Sequence, residues 1–138
     1  MKKYALILLA SCFFLSCDKE NFNNNNPYVP NYGFSFEINT NLPAYSQLVY
    51  PSNGIYYGGE GARGIIIFNT GSGYNAWDAA CPNQPMTECS TMTINGINAV
   101  CSCDDAEYSL FTGQSPGLEY PLKRYRVDVT GAVIRVSN

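Results

Sequence analysis

Histidine is missing from all 138 residues of the chain. Its absence rules out Ser-His-Asp and Cys-His catalytic pairs, and it removes imidazole from any metal site. Charged residues are sparse at 14%, and the eight Lys and Arg are outnumbered by eleven Asp and Glu. A basic surface for nucleic acid is therefore not expected. Long apolar runs are lacking too: the main one, Tyr4 to Ser16, has 13 residues, too few to span a bilayer as a helix. No stretch of a dozen residues shows helical periodicity, which turns the reading toward strands.

What the N-terminus does have is Lys2 and Lys3 ahead of that apolar run, the pattern of an export signal over residues 1–16. A short run ending in a small residue and cysteine resembles the bacterial lipoprotein signal, in which the cysteine is lipidated. Cys17, in Phe-Leu-Ser-Cys before polar Asp-Lys-Glu, is the expected lipidation site; Cys12, in Leu-Ala-Ser-Cys, is the alternative and fits the usual lipobox better. An ordinary secretory signal would want a small-x-small cleavage site at the end of the run, and none stands there. Loss of Lys2 and Lys3 leaves six of the eight Lys and Arg, so an anionic membrane surface is not an electrostatic partner. Attachment would come from several acyl chains, because one alone binds only marginally. The expected location is the cell envelope, lipid-anchored in the outer membrane on its periplasmic or surface face, with an envelope protein as partner.

Residues 17–32 follow as the lipidated cysteine and a polar tether, with four consecutive asparagines and two prolines. From Gly33 to Asn138 the chain is expected to form one all-β domain, a small antiparallel sandwich or barrel. Phe34, Phe36 and Ile38 alternate with Ser35 and Glu37 as in a half-buried strand. Asn41 to Tyr45 is a loop. Short β-rich runs follow at Leu48 to Tyr50, Ile55 to Tyr57, Ile65 to Phe68, Tyr74 to Trp77, Met92 to Ile94, Ala99 to Val100 and Tyr108 to Phe111. Asn95-Gly96 marks a hairpin, and Tyr120 to Val129 and Val133 to Val136 form a closing pair around Thr130-Gly131.

Several local patterns have bland readings. Gly59-Glu60-Gly61-Ala62-Arg63-Gly64 has the letters of a dinucleotide fingerprint, but the strand-like Ile65-Ile66-Ile67-Phe68 follows where a helix is required. Asp104, Asp105 and Glu107 lack the spacing of a calcium loop and read as a solvated turn. Lys123, Arg124 and Arg126 read as an exposed strand face, with an anion site as the alternative. Trp77 and many of the eleven tyrosines read as core and hairpin surface, and a sugar- or peptide-binding rim is the alternative.

Four cysteines fall within 23 residues: Cys81, Cys89, Cys101 and Cys103. In an exported chain an even, clustered set is read first as disulfides, with metal ligation as the competitor. Spacing alone allows three pairings.

The segments around these cysteines, Ala79-Ala80-Cys81-Pro82-Asn83-Gln84-Pro85 and Val100-Cys101-Ser102-Cys103-Asp104-Asp105, resemble the two cluster loops of the Rieske [2Fe-2S] domain. That family carries C-x-H, then about 15 to 17 residues, then C-x-x-H followed by an aromatic and Thr-Gly. Here Cys81 and Cys101 match the cysteine ligands, Asn83 and Asp104 occupy the histidine places, and 17 residues separate Asn83 from Cys101. Tyr74 to Asp78 resembles the strand entering the first loop, Phe111-Thr112-Gly113 the one leaving the second, and Tyr120 to Val136 the terminal hairpin.

The resemblance implies the family's fold over residues 33–138 and, by the same comparison, argues against its cofactor. A neutral amide and a hard carboxylate suit magnesium or calcium better than iron-sulfide, so no metal is expected. An all-cysteine cluster would use C-x7-C-x11-C-x-C, which matches no common ferredoxin pattern. In the family the second cysteine of the second loop commonly bridges to the first loop, which implies Cys89 with Cys103. Cys81 would then be left beside Cys101 and form a second bridge. The expectation is a cluster-free binding or structural module; the alternatives are electron transfer through an atypical [2Fe-2S] cluster, or a thiol/disulfide redox protein. No catalytic set is visible.

Overall fold

The computed structural model describes residues 25–138. The signal at 1–16, Cys12 and Cys17 lie outside the described residues. Among the described residues nine strands, β1 (Ser35–Asn39), β2 (Gly54–Tyr57), β3 (Ile65–Asn69), β4 (Tyr74–Asp78), β5 (Thr93–Asn95), β6 (Asn98–Val100), β7 (Glu107–Ser109), β8 (Arg124–Thr130) and β9 (Val133–Ser137), form two antiparallel sheets. The larger has the order β1-β9-β8-β4-β3-β2, and the smaller the order β5-β6-β7.

Strand β3 explains how the layers meet. Its side chains alternate between faces, and both faces are covered, so Ile65-Ile66-Ile67-Phe68 is apolar without interruption and fully buried. Ile65 and Ile67 join Ile38, Leu48, Ile55, Ala76, Tyr125, Ile134 and Val136 in one core. Ile66 and Phe68 turn the other way, into a second core with Trp77, Met92, Ala99, Tyr108, Leu110, Leu122 and both Cys81 and Cys101. The small sheet closes this second core, making a cysteine lobe on the face of the large sheet.

The strand reading fails at Leu48 to Tyr50. Pro43–Val49 is a 3-10 helix with proline in its first turn, and only Leu48 is buried. Val49 and Tyr50, which a strand would need to cover, are 54% and 66% exposed. The closing strand also begins later, at Arg124, because Tyr120 to Leu122 serve the cysteine lobe instead. Gly96 and Gly131 do occupy tight hairpin turns at φ of +60°, where a side chain would be strained.

Residues 26–32, assigned by composition to the tether, lie against the domain. Val29 is buried, Asn26 donates to the Pro82 carbonyl at 2.8 Å, and Tyr28 meets Tyr120 edge to face. Lys123 holds this segment: its ammonium donates to the Pro30 carbonyl at 2.7 Å and to Asn31 Oδ1 at 2.9 Å. Lys123 is therefore buried, not on an exposed face, and burial lowers its pKa against the opposing pull of Asp78.

Candidate functional site: the paired cysteine loops

The first loop leaves β4 through Asp78. This carboxylate is fully buried and accepts from the backbone N–H of Ala62 at 2.6 Å, of Ala80 at 2.8 Å and of Arg63 at 3.3 Å. Tyr125 Oη donates to it at 2.6 Å, and burial together with Asp78 pushes that phenol's pKa far up. The glycine-rich segment thus wraps a carboxylate of its own chain. Gly61 is needed there, because a Cβ would stand 2.7 Å from Asp78 Oδ2 at a φ of +72°. Composition gave no role to Asp78, though an aspartate set between Ala-Trp and Ala-Ala was a visible signal of a buried, satisfied charge.

Beyond Asp78 the loop is fixed by backbone bonds, Cys81 N–H to the Ser90 carbonyl at 2.9 Å and Met92 N–H to the Ala79 carbonyl at 2.7 Å. The second loop turns tightly: Cys101 N–H donates to Ala106, Asp105 N–H donates back to Cys101, and Asp105 takes a positive φ of +59°. Asn75 Nδ2 and Trp77 Nε1 each donate to the Leu110 carbonyl at 3.0 Å, tying the exit of that loop to β4.

Two disulfides join the loops. Cys81 is bonded to Cys101 with Cα atoms 5.6 Å apart, and Cys89 to Cys103 at 5.1 Å. The former is in the core; Cys89 is exposed and Cys103 half-buried. The sulfurs of Cys81, Cys101 and Cys103 all lie within 4.8 Å of one another.

The positions that resemble histidine ligands are each engaged by other partners. Asn83 Nδ2 donates to the Tyr120 carbonyl at 2.7 Å and to Tyr108 Oη at 2.9 Å, while its Oδ1 accepts from Tyr120 N–H at 2.9 Å. The amide thus pins a third segment, 119–122, onto the first loop. Burial raises the Tyr108 pKa, with the Asn83 bond working against it. Asp104 is exposed and accepts from Ala106 N–H at 3.1 Å within its own turn. Gln84, singled out by no motif, donates to Cys101 Sγ at 2.9 Å.

These donors do not fit a Rieske cluster. Two sulfurs of the required set are bonded to each other, the amide is engaged on both its ends, and no imidazole exists in the chain.

No family model matches the chain, and no curated protein matches it. Solved structures do. One is a chain from the complex of reduced oxygenase and oxidized ferredoxin in carbazole 1,9a-dioxygenase, at 18% identity and a TM-score of 0.52, covering 75% of this chain and 92% of that one. Another is the ferredoxin of carbazole 1,9a-dioxygenase from Nocardioides aromaticivorans, at 15% identity and a TM-score of 0.48, covering 72% and 95%. Identities this low speak to architecture only. The chain has a Rieske-type ferredoxin fold, all-β, with its two cysteine loops closed by disulfides.

Proposed function

We propose that this protein is a lipid-anchored envelope lipoprotein whose Rieske-type domain works without a cluster, as a binding or structural module. The observation that carries the reading is Asn83. In place of a ligand that would project toward iron, it makes three hydrogen bonds into the Tyr108 and Tyr120 region, so the loop tip is built around the amide. The disulfides supply the crosslink that a metal would otherwise provide, each worth about 2 to 4 kcal/mol in typical proteins. A fold of this type says nothing by itself about cofactor or chemistry.

The anchoring follows from the signal at 1–16 and Cys17, and the docked segment from Asn26 onward supports a short connection to the membrane. Eight residues, 18–25, separate Cys17 from Asn26, a reach of about 28 Å when fully extended. The cysteine lobe would then stand close to the bilayer, facing a membrane-bound envelope partner.

The test is expression of the full chain, anaerobically and with iron and sulfide supplied, followed by a visible spectrum and iron content on one sample. A folded, colourless, iron-free protein is expected. About two irons per chain with absorption between roughly 400 and 600 nm would overturn the reading in favour of a [2Fe-2S] centre on cysteine ligands.

A further inference from the structure

The two disulfides differ in access but share a neighbourhood. Cys89 is exposed, so a dissolved thiol can reach the outer bridge, whereas Cys81 and Cys101 are 1% and 0% exposed. Cys103 belongs to the outer bridge yet lies within 4.8 Å of both sulfurs of the inner one. Two hydroxyls can donate to it, Ser90 Oγ at 3.8 Å and Thr87 Oγ1 at 3.7 Å, the latter also standing 3.2 Å from Cys89 Sγ. On the inner bridge only Cys101 has a side-chain amide donor, Gln84 Nε2 at 2.9 Å. Hydrogen bonds to a sulfur that leaves as thiolate lower the cost of its departure.

We infer that the paired bridges carry a thiol–disulfide exchange activity toward dithiols, with Cys103 passing the exchange from the exposed bridge to the buried one. This rests on the cluster-free reading, since the sulfurs must not be bound to iron. A dithiol of the surroundings attacks Cys89 Sγ through one thiolate; the Cys89–Cys103 bond breaks and its electron pair leaves on Cys103. The second thiol of the reductant displaces Cys89, so the reductant is oxidised to a disulfide and two electrons enter the protein. Cys103 thiolate then attacks Cys81 Sγ. The Cys81–Cys103 bond forms, the Cys81–Cys101 bond breaks, and Cys101 leaves as the thiolate that Gln84 holds. No further electrons are exchanged in that second step. The outcome is a reduced pair, Cys89 and Cys101, with one sulfur at the surface and one shielded in the core.

The experiment treats the full, oxidised chain with one equivalent of dithiothreitol at about pH 8, near the ordinary thiol pKa. Acid quenching, alkylation at low pH, cleavage after Glu88 and Met92, and tandem mass spectrometry then assign the label. In singly reduced molecules most label is expected on Cys89 and Cys101, with Cys81 linked to Cys103. Label mainly on Cys89 and Cys103, with Cys81–Cys101 intact, would overturn the inference. Gln84→Leu is expected to move the label from Cys101 back to Cys103 several-fold; an unchanged ratio would remove Gln84 from the account. Iron and acid-labile sulfide are measured on the same preparation, so failure of the cluster-free reading is seen separately.

Discussion

Strand β3 buries five consecutive residues between two cores, while β6 in the cysteine lobe has three residues and only Ala99 buried. The large sheet gains its order from apolar side chains in register over strands of four to seven residues. The lobe has a smaller apolar supply per strand, and three-residue strands pair too briefly to hold alone. Covalent bridges and side chains bonded to backbone make up the difference: two disulfides, Asn83 on Tyr120, Asn75 and Trp77 on Leu110. In one region, sequence pattern is structure; in the other, a few specific residues are.

Opening both bridges should break that comparison furthest. They span 20 and 14 residues in sequence, and the chain-entropy model gives about 3 kcal/mol for each. Full reduction should strip amide hydrogen-exchange protection from β5, β6 and β7 while β3, β4, β8 and β9 keep theirs. Equal loss in both regions would show one cooperative unit and contradict the division.

Asp78→Ala sits at the junction of the two regions, so it should weaken both. It leaves three backbone N–H groups and the Tyr125 hydroxyl without their acceptor, at a cost of about 3 kcal/mol or more. Urea denaturation would measure it, and a loss under about 1 kcal/mol would mean that water replaces the carboxylate.

How legible each region was follows from the same contrast. Alternation in Phe34 to Ile38, the unbroken Ile65 to Phe68 run and the Gly131 turn all appear in the large sheet as read. Both cysteine loops are legible through their resemblance to the two loops of the Rieske pattern. The 3-10 helix at Pro43–Val49 is not legible because Leu48, Val49 and Tyr50 have strand-like chemistry, and tertiary burial selects Leu48 alone. Asp78 is marked only by the apolar residues beside it, while Gln84 and the docking of Asn26 and Lys123 depend on partners 17 to 93 residues away, which no local pattern encodes.

Asn83→Ala should detach the 119–122 segment and cost about 2 kcal/mol, confined to the lobe. Asn83→His introduces the residue type that the Rieske pattern has at this place but not the partners of the amide, and should also destabilise; a histidine that stabilised the loop would argue for a metal site.

The smallest effect expected is on pH dependence. Tyr125 and Tyr108 have pKa values raised above the ordinary 10.0 by burial, so the unfolded chain loses those protons first. Their contribution is complete below about pH 10 and is lost as pH rises above it. Lys123, lowered in the folded state from 10.5, works in the opposite direction over the adjoining range below that value. Unfolding free energy should therefore fall on balance above pH 10, and Tyr125→Phe should flatten the slope. An unchanged slope in that variant would exclude the Asp78–Tyr125 pair as its source.

The central claim is that Cys81, Cys89, Cys101 and Cys103 serve as bridges and not as iron ligands. Its most direct test is a thiol count on the chain isolated anaerobically from its own cells, denatured in acid and alkylated before any exposure to air. The account predicts no label on those cysteines and a mass four hydrogens below that of the reduced form. Four labelled cysteines, with iron and sulfide released on denaturation, would contradict it.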